Sequence, residues 1–313
     1  MTKHSLIIPD SHAHARLDQA LAQLLPEYSR TQIQTWLKNG DILINGLPMK
    51  GKTIVKGGEA VEIHATLKPQ PQWTAQAIPL NIVYEDESLV IVNKPVGMVV
   101  HPGAGVSEHT LLNALLHHAP VLQTLPRAGI LHRLDKNTSG LLIVAKTQTA
   151  LTHLSRQLKK RAIVREYQTI VQGILISGGT IDAPIGRHAL HRKRMAVTET
   201  GKKAITHYRI KEKYRAHTRL TVRLETGRTH QIRVHMAHIH HPIVGDTSYA
   251  INRGRQAKGM TVELRNTLHQ FKRQALHAFA LGFTHPVTQE WMHWEIELPE
   301  DMQLLIEALK KAG

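Results

Sequence analysis

Asp135 sits in "GILHRLDKNTSGLLIVAKT" (129–147), between two apolar runs, with Arg133 and Lys136 beside it and Thr-Ser-Gly after it. A carboxylate so placed has two uses. It can tie the loop to a cation as an ion-pair residue, or it can be a nucleophile or base displayed from a loop between buried segments. Two other stretches invite chemistry and offer less. "HMAHIHH" supplies His235, His238, His240 and His241, but histidine metal sites usually add a carboxylate or thiol at fixed spacing, as in H-E-x-x-H, and none is present. "HPGAG" (101–105) lacks the Gly-Lys-Ser/Thr ending of a phosphate-binding loop and reads as a turn. The chain has no Cys, which excludes disulfides and thiol catalysis.

The elements that must position Asp135 are partly visible. "SLVIVNKP" and "GLLIVAKT" are continuous apolar runs bounded by turn residues and predict buried strands. "HTRLTVRLETG" alternates, with Leu220, Val222 and Leu224 on one face and Arg219, Thr221 and Arg223 on the other. "TLLNALLHHA", "TALTHLSRQLKKR" and "HQIRVHMAHI" have helical spacing. Helices among largely antiparallel strands predict an α+β class rather than a doubly wound sheet.

The N-terminal part reads as a separate, smaller unit. "RLDQALAQLL" and "SRTQIQTWLKNG" predict two helices, the second opened by a capping pair of Ser29 and Gln32 and closed at Gly40. "DILING", with its Asn45-Gly46 turn, and "AVEIHA" predict short strands. Arg30, Gln34 and Lys38 share one face of the second helix, opposite Ile33, Trp36 and Leu37. The order Arg-Leu-Asp, Ser-Arg, Asn-Gly, Gly-Gly resembles the S4 RNA-binding domain. The expected division is 14–66 for the S4-like domain, 67–78 for a Pro-rich linker, and 79–313 for the larger domain.

Charge points to the partner. The formal net charge is +16, of which residues 1–65 carry +1 and the remainder +15. Such an excess predicts a polyanion, most simply nucleic acid. Aromatic residues are only 4% of the chain, so stacking of single-stranded bases is not the main device. No run approaches ~18 apolar residues and "MTKHSLIIPD" has no signal-peptide core, so no membrane partner and a cytoplasmic location are expected.

Four segments fall in a telling order: "VNKPVGMVVHPG" (92–103), "GILHRLDKNTSGLL" (129–142), "REYQTIVQG" (165–173) and "LETGRTHQIRVHMAHIHHPIVGD" (224–246). Together they resemble the RluA family of pseudouridine synthases and, with the S4-like N-terminus, its members that act on large-subunit ribosomal RNA. The resemblance implies a catalytic domain of the pseudouridine synthase fold, a mostly antiparallel mixed sheet flanked by helices, beside a small α/β S4-like domain. It implies site-specific isomerisation of clustered uridines in a stem-loop of 23S rRNA, as free RNA or in a pre-50S particle, by a monomer. The reaction breaks N1–C1′ and joins C5 to C1′ with no net redox change, so it implies neither cofactor nor metal.

Asp135 then matches the family's catalytic aspartate, as nucleophile or as base on the sugar. Adjacent loop residues seldom face each other well, which weighs against a mere pairing with Arg133 or Lys136. Arg233 matches the arginine that pairs with the acid, Tyr167 the tyrosine that packs on the base, and Leu224 a wall behind it. Arg133 matches the arginine that fills the space left by a flipped base. Lys94, Arg165, Arg228 and the runs "KKR" (159–161) and "HRKR" (191–194) are expected phosphate contacts, with Arg30 and Lys38 in the S4-like unit. Two rival functions are a non-catalytic rRNA-binding or assembly protein and an RNA N-glycosylase.

Overall fold

The structure, a computed structural model, describes residues 4–25, 28, 30–64, 73–103, 105–191, 194–250 and 260–312, with the backbone alone at 31 and 32. The chain divides into two compact units, Met1–Gln72 and Trp73–Gly313. The expected capping pair of Ser29 and Gln32, and the linker residues up to 72, lie outside the described residues.

In the first unit, β1 (His4–Ile7), α1 (Leu17–Leu24), α2 (Arg30–Asn39), β2 (Ile42–Ile44), β3 (Leu47–Pro48) and β4 (Ala60–Ile63) follow in order. The strands form an antiparallel sheet, β1-β4-β2-β3. Leu17, Leu21, Ile33, Trp36 and Leu37 from the helices bury against Ile42, Ile44, Val61 and Ile63. Asn45 and Gly46, both at positive φ, make the two-residue turn between β2 and β3. Strand β1 precedes residue 14, where the expected S4-like domain begins. It is four residues long and its partner β4 lies far along the chain, so local pattern gives no cue to it.

The second unit contains β5 (Ile82–Glu85), β6 (Leu89–Lys94), α3 (Leu111–His118), β7 (Ser139–Ala145), α4 (Gln148–Lys159), β8 (Val164–Gln172) and β9 (Gly179–Asp182). It continues with β10 (Ile185–Arg187), β11 (Met195–Val197), β12 (Ile205–Lys213), β13 (His217–Leu224) and α5 (Gln231–His238). The last elements are α6 (Val262–Gln270), β14 (Leu276–Thr284), β15 (Trp291–Glu295) and α7 (Glu300–Lys311). The large sheet runs β5-β6-β7-β14-β8-β13-β12-β9, with β15 also on β14; β10 and β11 form a separate hairpin. Only β7 with β14 is parallel among its described pairings. This is the expected mixed, mostly antiparallel α+β sheet.

Both faces of the sheet centre are covered, which explains the continuous apolar runs of β6 and β7. Leu89, Ile91, Leu141 and Ile143 pack with Ala150 and Leu154 of α4. Val90, Val92, Leu142 and Val144 face the other way, into a core with Leu112 and Leu115 of α3 and Leu305 of α7. Residues 73–78, expected as linker, are tied to α3: Asn113 Nδ2 donates to the Thr74 carbonyl at 2.7 Å, and Gln76 N to the Asn113 carbonyl at 3.0 Å.

The loop that carries Asp135 enters β7 at the sheet centre. Gly140 has φ +117°, and a Cβ there would stand 2.2 Å from the Ala278 carbonyl oxygen. Only glycine lets β7 lie against β14 at that point, which explains the Gly of "TSGLL".

Candidate active site

Asp135 is fastened from several directions. Its carbonyl accepts from Thr138 N at 3.0 Å, closing a turn, and the Lys136 carbonyl accepts from Gly97 N at 2.9 Å. Gln274 Nε2 donates to Thr138 Oγ1 at 3.0 Å, and Ser139 Oγ meets His277 Nδ1 of β14 at 2.8 Å. Leu134, buried, anchors the loop in the core. A carboxylate on such a loop is held by packing and not by its sequence neighbours.

The partner of Asp135 is neither Arg133 nor Lys136 but Arg233 of α5, whose Nη1 donates to Asp135 Oδ2 at 3.0 Å. Both neighbouring cations are exposed. Arg233 is itself gripped by Asp246, with Nε to Oδ2 at 2.7 Å and Nη2 to Oδ1 at 2.9 Å. Asp246 Oδ1 also accepts from Ser248 N at 2.8 Å and Tyr249 N at 3.2 Å. Burial alone would lower the Arg233 pKa, but Asp246 and then Asp135 outweigh it and hold the guanidinium above its usual value. Asp246 therefore fixes the arginine bidentately, and the arginine offers its remaining nitrogen to Asp135. One oxygen of Asp135, Oδ1, is left without a hydrogen bond among the described residues.

Tyr167 and Leu224 arrive on strands. Tyr167 on β8 pairs with Val222 of β13 and Ala278 of β14, and both Tyr167 and Leu224 are buried in the main core. Burial pushes the Tyr167 phenol pKa up, with Arg165 opposing and Asp135 reinforcing, so its ring stays neutral beside the acid. Asp135, Arg233 and Tyr167 thus approach one another from a loop, a helix and a strand, while Leu224 lies two residues beyond Val222, the β13 partner of Tyr167. Arg133 is exposed, with no hydrogen bond or ion pair among the described residues.

Two expected phosphate contacts are corrected. Lys94 is fully buried, and its Nζ donates to the carbonyls of Pro95, Met98 and Lys136 at 2.8, 3.0 and 3.2 Å. Burial pushes its pKa down to about 7, with Asp135 raising it and Arg273 lowering it. Three carbonyl acceptors match the three protons of the charged form, so Lys94 is a strut for the Asp135 loop that no phosphate reaches. Arg165 is also buried, with its charge acting on His132 and Tyr167 and its Nε unpartnered. It belongs to the interior of the site and not to the phosphate-facing surface.

The other cations are at the surface. Arg228 is exposed and donates through Nε to the Lys203 carbonyl at 3.1 Å. Lys159, Lys160, Arg161, His191 and Arg194 are exposed, and residues 192 and 193 lie outside the described residues. In the N-terminal unit, buried Asp18 gathers Arg16, Arg30 and Gln34, with Arg30 Nη2 at 2.9 Å. An open groove there is lined by Arg16, Lys38, Lys50 and Lys52.

The histidine cluster disperses. His235 is buried against Thr206 Oγ1 and the Ala183 carbonyl, and His241 meets the Gln172 carbonyl. A Ser88–His285–Asp86 trio also occurs, but Ser88 Oγ and Asp86 Oδ2 share the same Nε2, at 3.2 and 2.8 Å. The other ring nitrogen accepts from Val287 N and Thr288 N, so no free base remains to activate the hydroxyl.

Asp246 and His230 escaped the sequence reading. Asp246 had a signal: it is the only acid between Glu225 and Glu263, in a strongly basic stretch. His230 Nε2 lies 3.8 Å from Asp135 Oδ1, and nothing in its immediate sequence distinguishes it from its many neighbouring histidines.

Comparison with known proteins identifies the family. The family described as RNA pseudouridylate synthase matches residues 88–238, and the S4 domain matches residues 15–61. The chain is 50% identical over 305 residues to "Ribosomal large subunit pseudouridine synthase D" of Vibrio parahaemolyticus, covering 97% of this chain and 94% of that one. It is 51% identical over 304 residues to the Escherichia coli K12 protein of the same name, covering 97% and 93%. Among solved structures, "Human RNA Pseudouridylate Synthase Domain Containing 4" shares the fold, with a TM-score of 0.58 and 23% identity over 74% of this chain and 93% of that one.

Proposed function

The chain belongs to the RNA pseudouridylate synthase family, and on that premise we propose that it isomerises uridine to pseudouridine in large-subunit ribosomal RNA, with Asp135 acting at C1′. The observation that carries this reading is the Asp246–Arg233–Asp135 chain. It holds one oxygen of a single carboxylate and leaves the other open. The bond N1–C1′ breaks, the uracil turns, C5 joins C1′, and the proton from C5 is lost as N1 gains one. One ionised carboxylate, as nucleophile at C1′ or base on the sugar, suffices for this isomerisation. Arg233 orients that carboxylate through its bond to Oδ2. Tyr167 and Leu224 make the apolar wall against which the uracil turns.

The target base must leave its stack, and exposed Arg133, two residues before the acid, fills the gap it leaves. A planar guanidinium suits the place because it stacks on neighbouring bases and contacts phosphate. The surface cations, Arg228 among them, supply the phosphate attraction of the +15 C-terminal part. The S4 unit, with Arg30 and Lys38, adds selection of the folded RNA. The enzyme works on rRNA or an assembling large subunit, in the cytoplasm.

The test uses rRNA labelled with tritium at uridine C5. Pseudouridine formation releases tritium to water while the base stays attached to the RNA. An N-glycosylase would free uracil with its tritium, and a binding protein would release nothing; either result refutes the reading.

A further inference from the structure

Behind the open oxygen of Asp135 stands a short relay. The Met195 backbone N–H donates to Tyr249 Oη at 2.9 Å, and Tyr249 Oη lies 2.7 Å from His230 Nδ1. The phenol has one proton to give, and no other acceptor is bonded to it among the described residues. It therefore donates to Nδ1, and a neutral His230 must carry its proton on Nε2. That nitrogen lies 3.8 Å from Asp135 Oδ1, while Arg233 occupies Oδ2. The relay is held firmly: the Arg233 guanidinium stacks 5.0 Å from the centre of the Tyr249 ring, whose backbone N–H donates to Asp246. His230 also occupies the left-handed region, with φ +57°, just before α5.

We propose that His230, locked by Tyr249 in the Nε2–H tautomer, is a positioning residue that aims Oδ1 of Asp135 at the substrate sugar. This rests on the reading of Asp135 as the acting carboxylate. The separation is too long for a direct hydrogen bond, as is common before substrate tightens a site. The charged and titratable groups facing His230 are Asp135, Asp246, Arg233, Arg133 and Tyr249. Burial pushes its pKa below the ordinary value, and the two arginines oppose the two acids. Protonation would force the Tyr249 hydroxyl to turn and set a cation against Oδ1, so activity falls on the acid side as His230 titrates.

The experiment uses the full chain with 15N-labelled histidine, His230→Gln supplying the assignment. At neutral pH the His230 ring is expected neutral and protonated on Nε2. Tyr249→Phe removes the donor to Nδ1, so the acid limb of its kcat profile should move up by about 0.5 pH unit or more. His230→Gln should lose about tenfold or more in kcat with little change in KM. An Nδ1-protonated or cationic ring at neutral pH overturns the proposal, as does an unmoved acid limb in a folded Tyr249→Phe protein. Full turnover by Asp135→Asn would instead remove the reading of Asp135, leaving the tautomer measurement to judge the relay alone.

Discussion

Asp246→Asn should damage both stability and catalysis, although Asp246 touches no substrate. Its buried carboxylate accepts two bonds from Arg233 and two from backbone N–H groups. The amide keeps the shape but loses the charge and points N–H groups at a guanidinium. Breaking a buried pair by removing one partner typically costs about 3–5 kcal/mol. For a unit of this size, each 1 kcal/mol lowers Tm by roughly 2–4 °C, so a fall of about 10 °C is expected. Arg233 would then turn toward its remaining carboxylate, Asp135, and draw it away from the sugar. A displacement of about 1 Å at the reacting group is enough for roughly a hundredfold loss in rate. The assays are a thermal melt and single-turnover tritium release from rRNA labelled at uridine C5, with RNA affinity measured beside them. A variant with wild-type Tm and wild-type rate would show that Asp246 does not hold Arg233 in place.

Arg133→Ala should slow modification of a structured stem-loop more than it weakens RNA binding, since every ~1.4 kcal/mol of flipping cost not recovered is tenfold in the flipped population. Unpairing the target uridine beforehand should rescue it in part, and a uniform loss of binding would refute the role. Deleting residues 1–72 should leave an active C-terminal unit with poorer choice of uridines in full rRNA; equal efficiency at the same sites would count against the S4 unit as selector. Asp86 supplies an acid-stability prediction. Burial alone would raise its pKa, but Leu89 N, Ser88 N, Ser88 Oγ and the Tyr84 hydroxyl outweigh that and lower it from 3.8 to about 2. Its stabilisation is therefore present above pH 4 and lost as pH falls through 2. Urea melts of Asp86→Asn should differ from wild type by at most about 2 kcal/mol near neutrality, and the gap should close in acid.

The parts legible in the sequence are those whose cause is local. The apolar runs of β6 and β7, the alternation of β13 and the Asn45-Gly46 turn each carry a period or a backbone preference within a few residues. The parts that were not legible depend on distant partners. Strand β1 exists because β4 accepts it, and the parallel contact of β7 with β14 joins segments far apart in the chain. Lys94 shows the limit for single residues. A lysine ending an apolar strand looks the same in sequence whether it reaches solvent or three buried carbonyls. Asp135 was singled out by its setting and by the family motif, yet its carboxylate is shaped by Arg233, Asp246 and His230, about a hundred positions later.

The most direct test of the central claim is single-turnover tritium release from C5-labelled rRNA by Asp135→Asn, at protein concentrations that saturate binding. The amide preserves the shape of the loop and the bulk of the phosphate contacts, but it can act neither as nucleophile at C1′ nor as base on the sugar. The account predicts RNA affinity within a few-fold of wild type and no tritium released above background. Tritium release by a saturated Asp135→Asn protein at an appreciable fraction of the wild-type rate would contradict it.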